Sequence, residues 1–183
     1  MGDLCFVIRA VNLEYLGTIP REIAMLKIRK AEPQDVQVIL KLIRGLAEYE
    51  HASQAAQATE GDLLRDGFGP DPKFHCVLAE WEDMPVGFAL YFYNYSTWKG
   101  RPGIYLEDLF VWPEFRGKGI GTAILLHVAK VAVAENCGRY EWQVLDWNTP
   151  SIEFYEGLGA KRMTEWLPMR VEGDALLELA RKN

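Results

Sequence analysis

No run of the chain is apolar for long enough to cross a membrane. The most apolar stretch near the start, Leu4–Val11, is only eight residues and is broken by Arg9. Neither a basic start nor a small-residue cleavage site accompanies it, so it does not read as a secretory leader. Cysteine is scarce and odd in number: Cys5, Cys76 and Cys137 are far apart, a poor disulfide framework that fits a reducing, cytoplasmic setting. Histidine is equally sparse. The adjacent pair His75-Cys76 would point to opposite faces of a strand, so no zinc spacing exists and no metal is expected. There is no stripe of Lys and Arg, and the formal net charge is −6, which argues against a partner that tracks nucleic-acid phosphates. Internal repeats and low-complexity linkers are also missing.

What is present is an ordinary globular composition, 49% hydrophobic and 25% charged over 183 residues, enough for one domain with a real core. Residues 1–24 read as an appended segment, an extra strand or a leader, with the domain proper covering 25–183. Leu26–Lys30 alternates apolar and charged residues as a half-buried strand does. Pro33-Gln34-Asp35 opens a helix with Val36, Ile39, Leu40, Ile43, Leu46 and Ala47 on one stripe. Thr59 caps a short helix that Asp66-Gly67 should end. Strand-like runs follow at Phe74–Trp81, Val86–Tyr95 and Ile104–Trp112, the first two separated by a hairpin-like turn at Glu82-Asp83-Met84-Pro85. A glycine-rich turn then leads into a long helix, Ile120–Glu135. Further on come a strand at Tyr140–Leu145, a short helix from Thr149-Pro150, a strand near Trp166–Val171 and a terminal helix at Asp174–Arg181. Antiparallel strands flanked by helices make an α+β layout around a mixed, mainly antiparallel sheet.

The most informative stretch is Arg116-Gly117-Lys118-Gly119-Ile120-Gly121, between a strand and a helix. Its glycines let a ligand come close to the backbone, and the unpaired N–H groups of the helix start favour an anion there. Arg116 and Lys118 add cationic donors, so the stretch reads as a phosphate or pyrophosphate site. A Walker loop is excluded because no Gly-Lys-Ser/Thr follows at its spacing, and a dinucleotide fingerprint because its third glycine position is Ile124. Two readings remain: a glycine turn that merely starts a helix, or the Arg-x-x-Gly-x-Gly loop that cradles the pyrophosphate of coenzyme A.

Flanking blocks favour the second. Tyr105-Leu106-Glu107-Asp108-Leu109-Phe110-Val111 before the loop and Trp147-Asn148-Thr149-Pro150-Ser151-Ile152-Glu153-Phe154-Tyr155 after it resemble the GNAT superfamily of acetyltransferases. So do Leu46-Ala47-Glu48-Tyr49-Glu50, Asp66-Gly67-Phe68-Gly69, Phe74-His75-Cys76 and the region around Trp98. Within that superfamily the resemblance is to the diamine (spermidine/spermine) acetyltransferases and their thialysine-acetylating relatives. It spans most of 26–160 and weakens after Lys161. It implies the GNAT fold, acetyl-CoA as co-substrate, a small primary amine as acceptor, and a homodimer. It also implies Tyr155 as general acid and Glu107 as the carboxylate that attracts the ammonium and accepts its proton through a water. Strict strand alternation would put Glu107 and Asp108 on opposite faces, leaving Asp108 a structural part. The backbone of Phe110 and Val111 is the expected dock for the pantetheine arm, with Arg116–Gly121 at the pyrophosphate and Asn148 on the coenzyme from a neighbouring strand end. Tyr49, Glu50 and Trp98 match positions that touch the amine, Trp98 through a cation–π contact. Two rival functions share these features: acetylation of a protein lysine or N-terminus, and a non-catalytic acyl-CoA sensor.

Overall fold

Strand β1, Leu26–Lys30, forms in the computed structural model by pairing antiparallel with β2, His75–Trp81, in the register Leu26↔Trp81 to Lys30↔Val77. The structure describes residues 25–182, so the expectation for residues 1–24 lies outside the described residues. Between the two strands run α1, Val36–Tyr49, and α2, Glu60–Phe68. A 3-10 turn at Pro33–Asp35 precedes α1. α2 starts where the sequence predicts: Thr59 Oγ1 accepts from Asp62 N–H (3.2 Å) while Asp62 Oδ2 accepts from Thr59 N–H (3.1 Å), a reciprocal cap. It does not stop at Asp66-Gly67. A Cβ on Gly67 would come within 2.5 Å of the Phe74 ring, so this glycine permits close packing and does not end the helix.

β2 turns into β3, Met84–Ser96, through Glu82 and Asp83, both with positive φ (51° and 61°). Two such residues suit the right-handed twist of the paired strands, and the turn is tighter than the four-residue connection expected. β3 pairs antiparallel with β4, Arg101–Val111, and β4 pairs parallel with β5, Tyr140–Trp142. The sheet order is therefore β1-β2-β3-β4-β5, mainly antiparallel and mixed at one edge, as expected. α3, Ile120–Ala134, is the helix after the glycine turn.

The sheet is covered on both faces. Cys76, Leu78, Phe88, Leu90 and Phe110 share a buried cluster with Val36, Ile39, Leu40 and Leu42 of α1 and Leu63 of α2. On the other face α3 buries Ile120, Ile124, Leu125, Val128 and Ala132. α1 lies so close to the end of β4 that a Cβ on Gly45 would sit 2.5 Å from the Trp112 ring.

Among the described residues, those up to Gln143 form one compact unit and those from Val144 onward a second. The second contains α4, Thr149–Gly157, and α5, Gly173–Ala180. Asn148 caps α4, its Oδ1 accepting from Ser151 N–H at 3.4 Å, and Pro150 occupies the first turn. Two strand expectations shrink or fail here. β5 ends at Trp142, short of Leu145, and Trp166–Val171 forms no strand. Pro168 removes a donor from that segment, and its Trp166, Leu167 and Met169 side chains are exposed. Among the described residues no helix is long and apolar enough to cross a membrane.

A buried ion cluster ties β1, β2 and the start of α1 together. Arg29 grips Asp35 with two bonds (Nη1 to Oδ2 2.6 Å, Nη2 to Oδ1 2.9 Å) and Glu80 with a third (Nε to Oε1 2.7 Å). Asp35 and Glu80 are each 7% exposed, so their charges depend on this one guanidinium, assisted by Lys27 at 3.6 Å from Glu80. The bonds from Arg29, above all, hold the Asp35 carboxyl below its ordinary pKa. A group with a depressed folded pKa stabilises above its unfolded pKa and loses that contribution as pH falls through the folded value. Arg29→Ala should therefore cost about 3 kcal/mol at pH 7. In urea denaturation the gap to wild type should narrow below about pH 4, the unfolded Asp range.

Candidate active site

Two residues of β4 face one step of β3 at its centre. The register runs Leu90↔Asp108 and then Tyr91↔Leu106, so Glu107 is an extra residue, a β-bulge. Its effect on side-chain direction can be followed strand by strand. Ile104 and Leu106 pair with Tyr93 and Tyr91, on the face away from Leu90. Asp108 and Phe110 pair with Leu90 and Phe88, both in the α1 cluster. The alternation has slipped by one across Glu107. The expectation that Glu107 and Asp108 must face opposite ways fails for this reason.

Asp108 is the residue that sequence reading undervalued. It lies on the side of the sheet that α1 covers, where burial pushes its pKa up to about 7, with smaller contributions from the negative charges of Glu107 and Glu50. Glu50, just past the end of α1, is itself raised by burial. Glu107 is exposed. Asp108 thus feels the negative charge of two other carboxyl groups, one on the strand bulge and one past a helix end. The signal was in the chain: an acidic pair inside a Tyr/Leu/Phe run is costly without a counter-charge. These groups do not make a metal site by clustering, and no group that could hold a metal is found among the described residues.

The bulge also marks where β4 loses a neighbour. Pairing with β5 ends at Leu106↔Trp142, one residue before Glu107, so among the described residues 108–111 pair only with β3. Trp112 N–H donates to Val86 O at 3.0 Å. Ladder bonds alternate along an antiparallel pair, so Phe110 also turns its backbone toward β3, and Leu109 and Val111 turn theirs to the open edge. Of the two residues expected to offer a backbone dock, Val111 has outward groups. Phe110 commits its backbone to β3 and its ring to the core, where it is 3% exposed. Leu109 takes the second outward place.

Beyond β4 the chain passes through Pro113–Phe115 into the glycine turn. Gly117 and Gly119 have φ of 74° and 75°, a left-handed conformation that L residues disfavour, and Gly119 is the residue from which α3 departs. A Cβ placed on Gly117, Gly119 or Gly121 would meet nothing within 4 Å. The backbone there is open to an incoming group. Ala123 N–H is the donor that closes the first turn, onto Gly119 O at 2.9 Å. The donors before it at the helix start are the groups an anion can use. Ile120, 1% exposed, plugs the core beneath them. The two cationic side chains are turned elsewhere. Lys118 Nζ lies 5.0 Å from the Trp81 ring and 5.1 Å from that of Phe115. Arg116 donates Nε–H to Val111 O (3.0 Å), and its guanidinium carbon sits 4.4 Å from the Tyr49 ring centroid.

Trp98 does not join this group. It lies in the turn between β3 and β4 and is 89% exposed. Glu107 lies six residue steps along the strand from Arg101, roughly 20 Å of extended chain, beyond the reach of an indole. Asn148 and Tyr155 belong to the second unit. Asn148 is 5% exposed and caps α4; Tyr155 sits on α4 with its ring 5.2 Å from Phe154.

Comparison with known proteins follows the same lines. Residues 39–160 match the family model described as Acetyltransferase (GNAT) family. The chain is similar to a thialysine N-epsilon-acetyltransferase of Bos taurus, 46% identical over 170 residues that cover 87% of this chain and 99% of that one. It is also similar to a spermidine/spermine N(1)-acetyltransferase-like protein 1 of Homo sapiens, 37% identical over 84% of this chain and 24% of that longer one. Among solved structures, an integron cassette protein from the mobile metagenome of V. cholerae matches with a TM-score of 0.74 and 28% identity, covering 86% of this chain and 99% of that one.

The Asp108 carboxyl should titrate with a midpoint near 7 in a carbon-13 NMR experiment on the protein without ligand. A folded pKa raised in this way means stability that is complete below the unfolded value and is lost as pH rises toward 7. Asp108→Asn should accordingly be more stable than wild type at pH 8, by on the order of 2–4 kcal/mol, with the difference gone by about pH 4.

Proposed function

The chain belongs to the GNAT acetyltransferase family, and from that premise we propose that it transfers the acetyl group of acetyl-CoA to a primary amine of a small cationic substrate, a polyamine or a thialysine-like amino acid. The observation that carries this reading is the convergence of Glu50, Glu107 and Asp108 beside the open edge of β4. A protonated alkyl amine has a pKa near 10 and needs both a counter-charge and a proton acceptor before it can attack. The carboxylates supply the first. We assign the second to Glu107, exposed at the bulge and acting through water.

The groups around the glycine turn fit the coenzyme. Left-handed glycines with open space above them, and the free donors at the start of α3, suit the pyrophosphate. The outward N–H groups of Leu109 and Val111 suit the amides of the pantetheine arm and the thioester oxygen, as an added strand would. When bound, acetyl-CoA supplies the acetyl thioester. Tyr155 is proposed as the proton donor to the departing thiolate on the strength of its flanking sequence, and Asn148 as a further coenzyme contact on the same ground. The amine-facing role of Tyr49 is proposed likewise. A homodimer and a cytoplasmic site of action are proposals from family resemblance, and residues 25–183 are proposed as the catalytic domain with 1–24 appended to it.

Thiol release from acetyl-CoA should depend on added spermidine, spermine, putrescine, thialysine or lysine. Preference for a peptide library over all of these would move the acceptor to a protein. Saturable coenzyme binding with no amine-dependent release would leave only a sensor. Tyr155→Phe should lower kcat about 100-fold with little change in coenzyme affinity; near-normal turnover removes Tyr155 from the role. Glu107→Gln should raise the amine KM or shift the acidic limb of the pH–rate profile, and no change in either counts against it.

A further inference from the structure

Arg116 opens the motif that faces the coenzyme, yet its contacts run inward. Nε donates to the carbonyl of Val111 at 3.0 Å. The guanidinium carbon lies 4.4 Å from the centre of the Tyr49 ring and 5.6 Å from that of Phe110. These contacts reach the outer end of β4 and the last residue of α1, which no ladder or helix bond joins to each other. A guanidinium can do this because it is flat enough to stack while one edge still donates; an ammonium cannot do both.

The last turn of α1 is where such a tie matters. Glu50 follows Tyr49 directly, and the chain there is held by three end-of-helix bonds: Glu50 N–H to Leu46 O (2.9 Å), His51 N–H to Glu48 O (3.1 Å) and Ala52 N–H to Ala47 O (2.8 Å). His51 has a positive φ of 58°, a conformation its side chain does not favour. Helix ends are the parts that open first, and a carboxylate carried on an open end spreads its charge over many positions. Stacked on Tyr49 and bonded to Val111, Arg116 closes the distance between the Glu50 end of α1 and the strand that carries Asp108.

We infer that Arg116 is a positioning residue for the amine: it holds the C-terminal turn of α1 against β4 so that Glu50 meets Glu107 and Asp108. The anion site at residues 117–121 then rests on backbone donors more than on this side chain. The inference depends on the function proposed above for its kinetic consequence, though not for its structural one.

The test uses the full chain with Arg116→Lys and Arg116→Met. Amide hydrogen exchange in the unliganded protein should be about tenfold faster at Glu50, His51 and Ala52 in both variants, with the Leu63 amide of α2 unchanged. The amine KM should rise about tenfold in the lysine variant, while its CoA affinity by calorimetry stays within about twofold of wild type. Unchanged exchange at residues 50–52 overturns the inference. So does a tenfold loss of CoA affinity with the amine KM unaltered, which would make Arg116 a phosphate ligand only. Should wild type acetylate no amine, the proposed function fails, and the exchange measurement still decides the tie. If the Arg116 variants do not fold, Tyr49→Leu removes the stacked partner and leaves Arg116 in place. The same acceleration at residues 50–52 is expected there, and its absence overturns the inference.

Discussion

A single extra residue in β4 organises the described part of the site. By inserting Glu107 opposite the Leu90–Tyr91 step, the strand changes which of its side chains meet α3 and which meet α1. The buried apolar residues on either side leave no freedom in this. Ile104 and Leu106 are fully buried before the bulge, as Phe110 is after it, and each needs its own core. A one-residue slip in either half would expose an apolar set and bury a polar one. The bulge is therefore held by packing, and the carboxylates ride on it.

Two consequences of the bulge serve the same end. It brings Asp108 onto the face near Glu50, and β5 stays paired only as far as Leu106, which leaves the backbone of Leu109 and Val111 facing outward. The charge proposed for an amine and the donors proposed for an extended ligand thus come from neighbouring residues of one strand. The cost is visible in the acidic groups. Burial above all raises the Asp108 pKa to about 7, an unfavourable setting for a carboxylate.

The remaining supports are placed away from this chemistry. Arg29 with Asp35 and Glu80 fastens β1, β2 and the entry to α1, at the opposite end of α1 from Glu50. Gly45 and Gly67 let Trp112 and Phe74 approach the helices. With one end of α1 fixed by ion pairs and its middle by a tryptophan, the free end is where the Arg116 tie acts.

Much of this was readable from the chain itself. Local chemistry sufficed for the Thr59 cap, the Pro33 and Pro150 helix starts, the hydrophobic strands and the glycine turn, because each depends on residues within about four positions of one another. The matching blocks around Glu107 and Tyr155 pointed to the family. Other features required the fold. Gly67 reads as a stop until Phe74 is seen against it, and Trp166–Val171 reads as a strand although it forms none in the fold. Asp108 reads as facing away from Glu107 until its pairing with Leu90, on the preceding strand, sets the register. The pairing of Phe110 with Phe88 and the stacking of Arg116 on Tyr49 likewise depend on partners distant in sequence. Pattern reports what a residue prefers; register and burial decide which neighbour it meets.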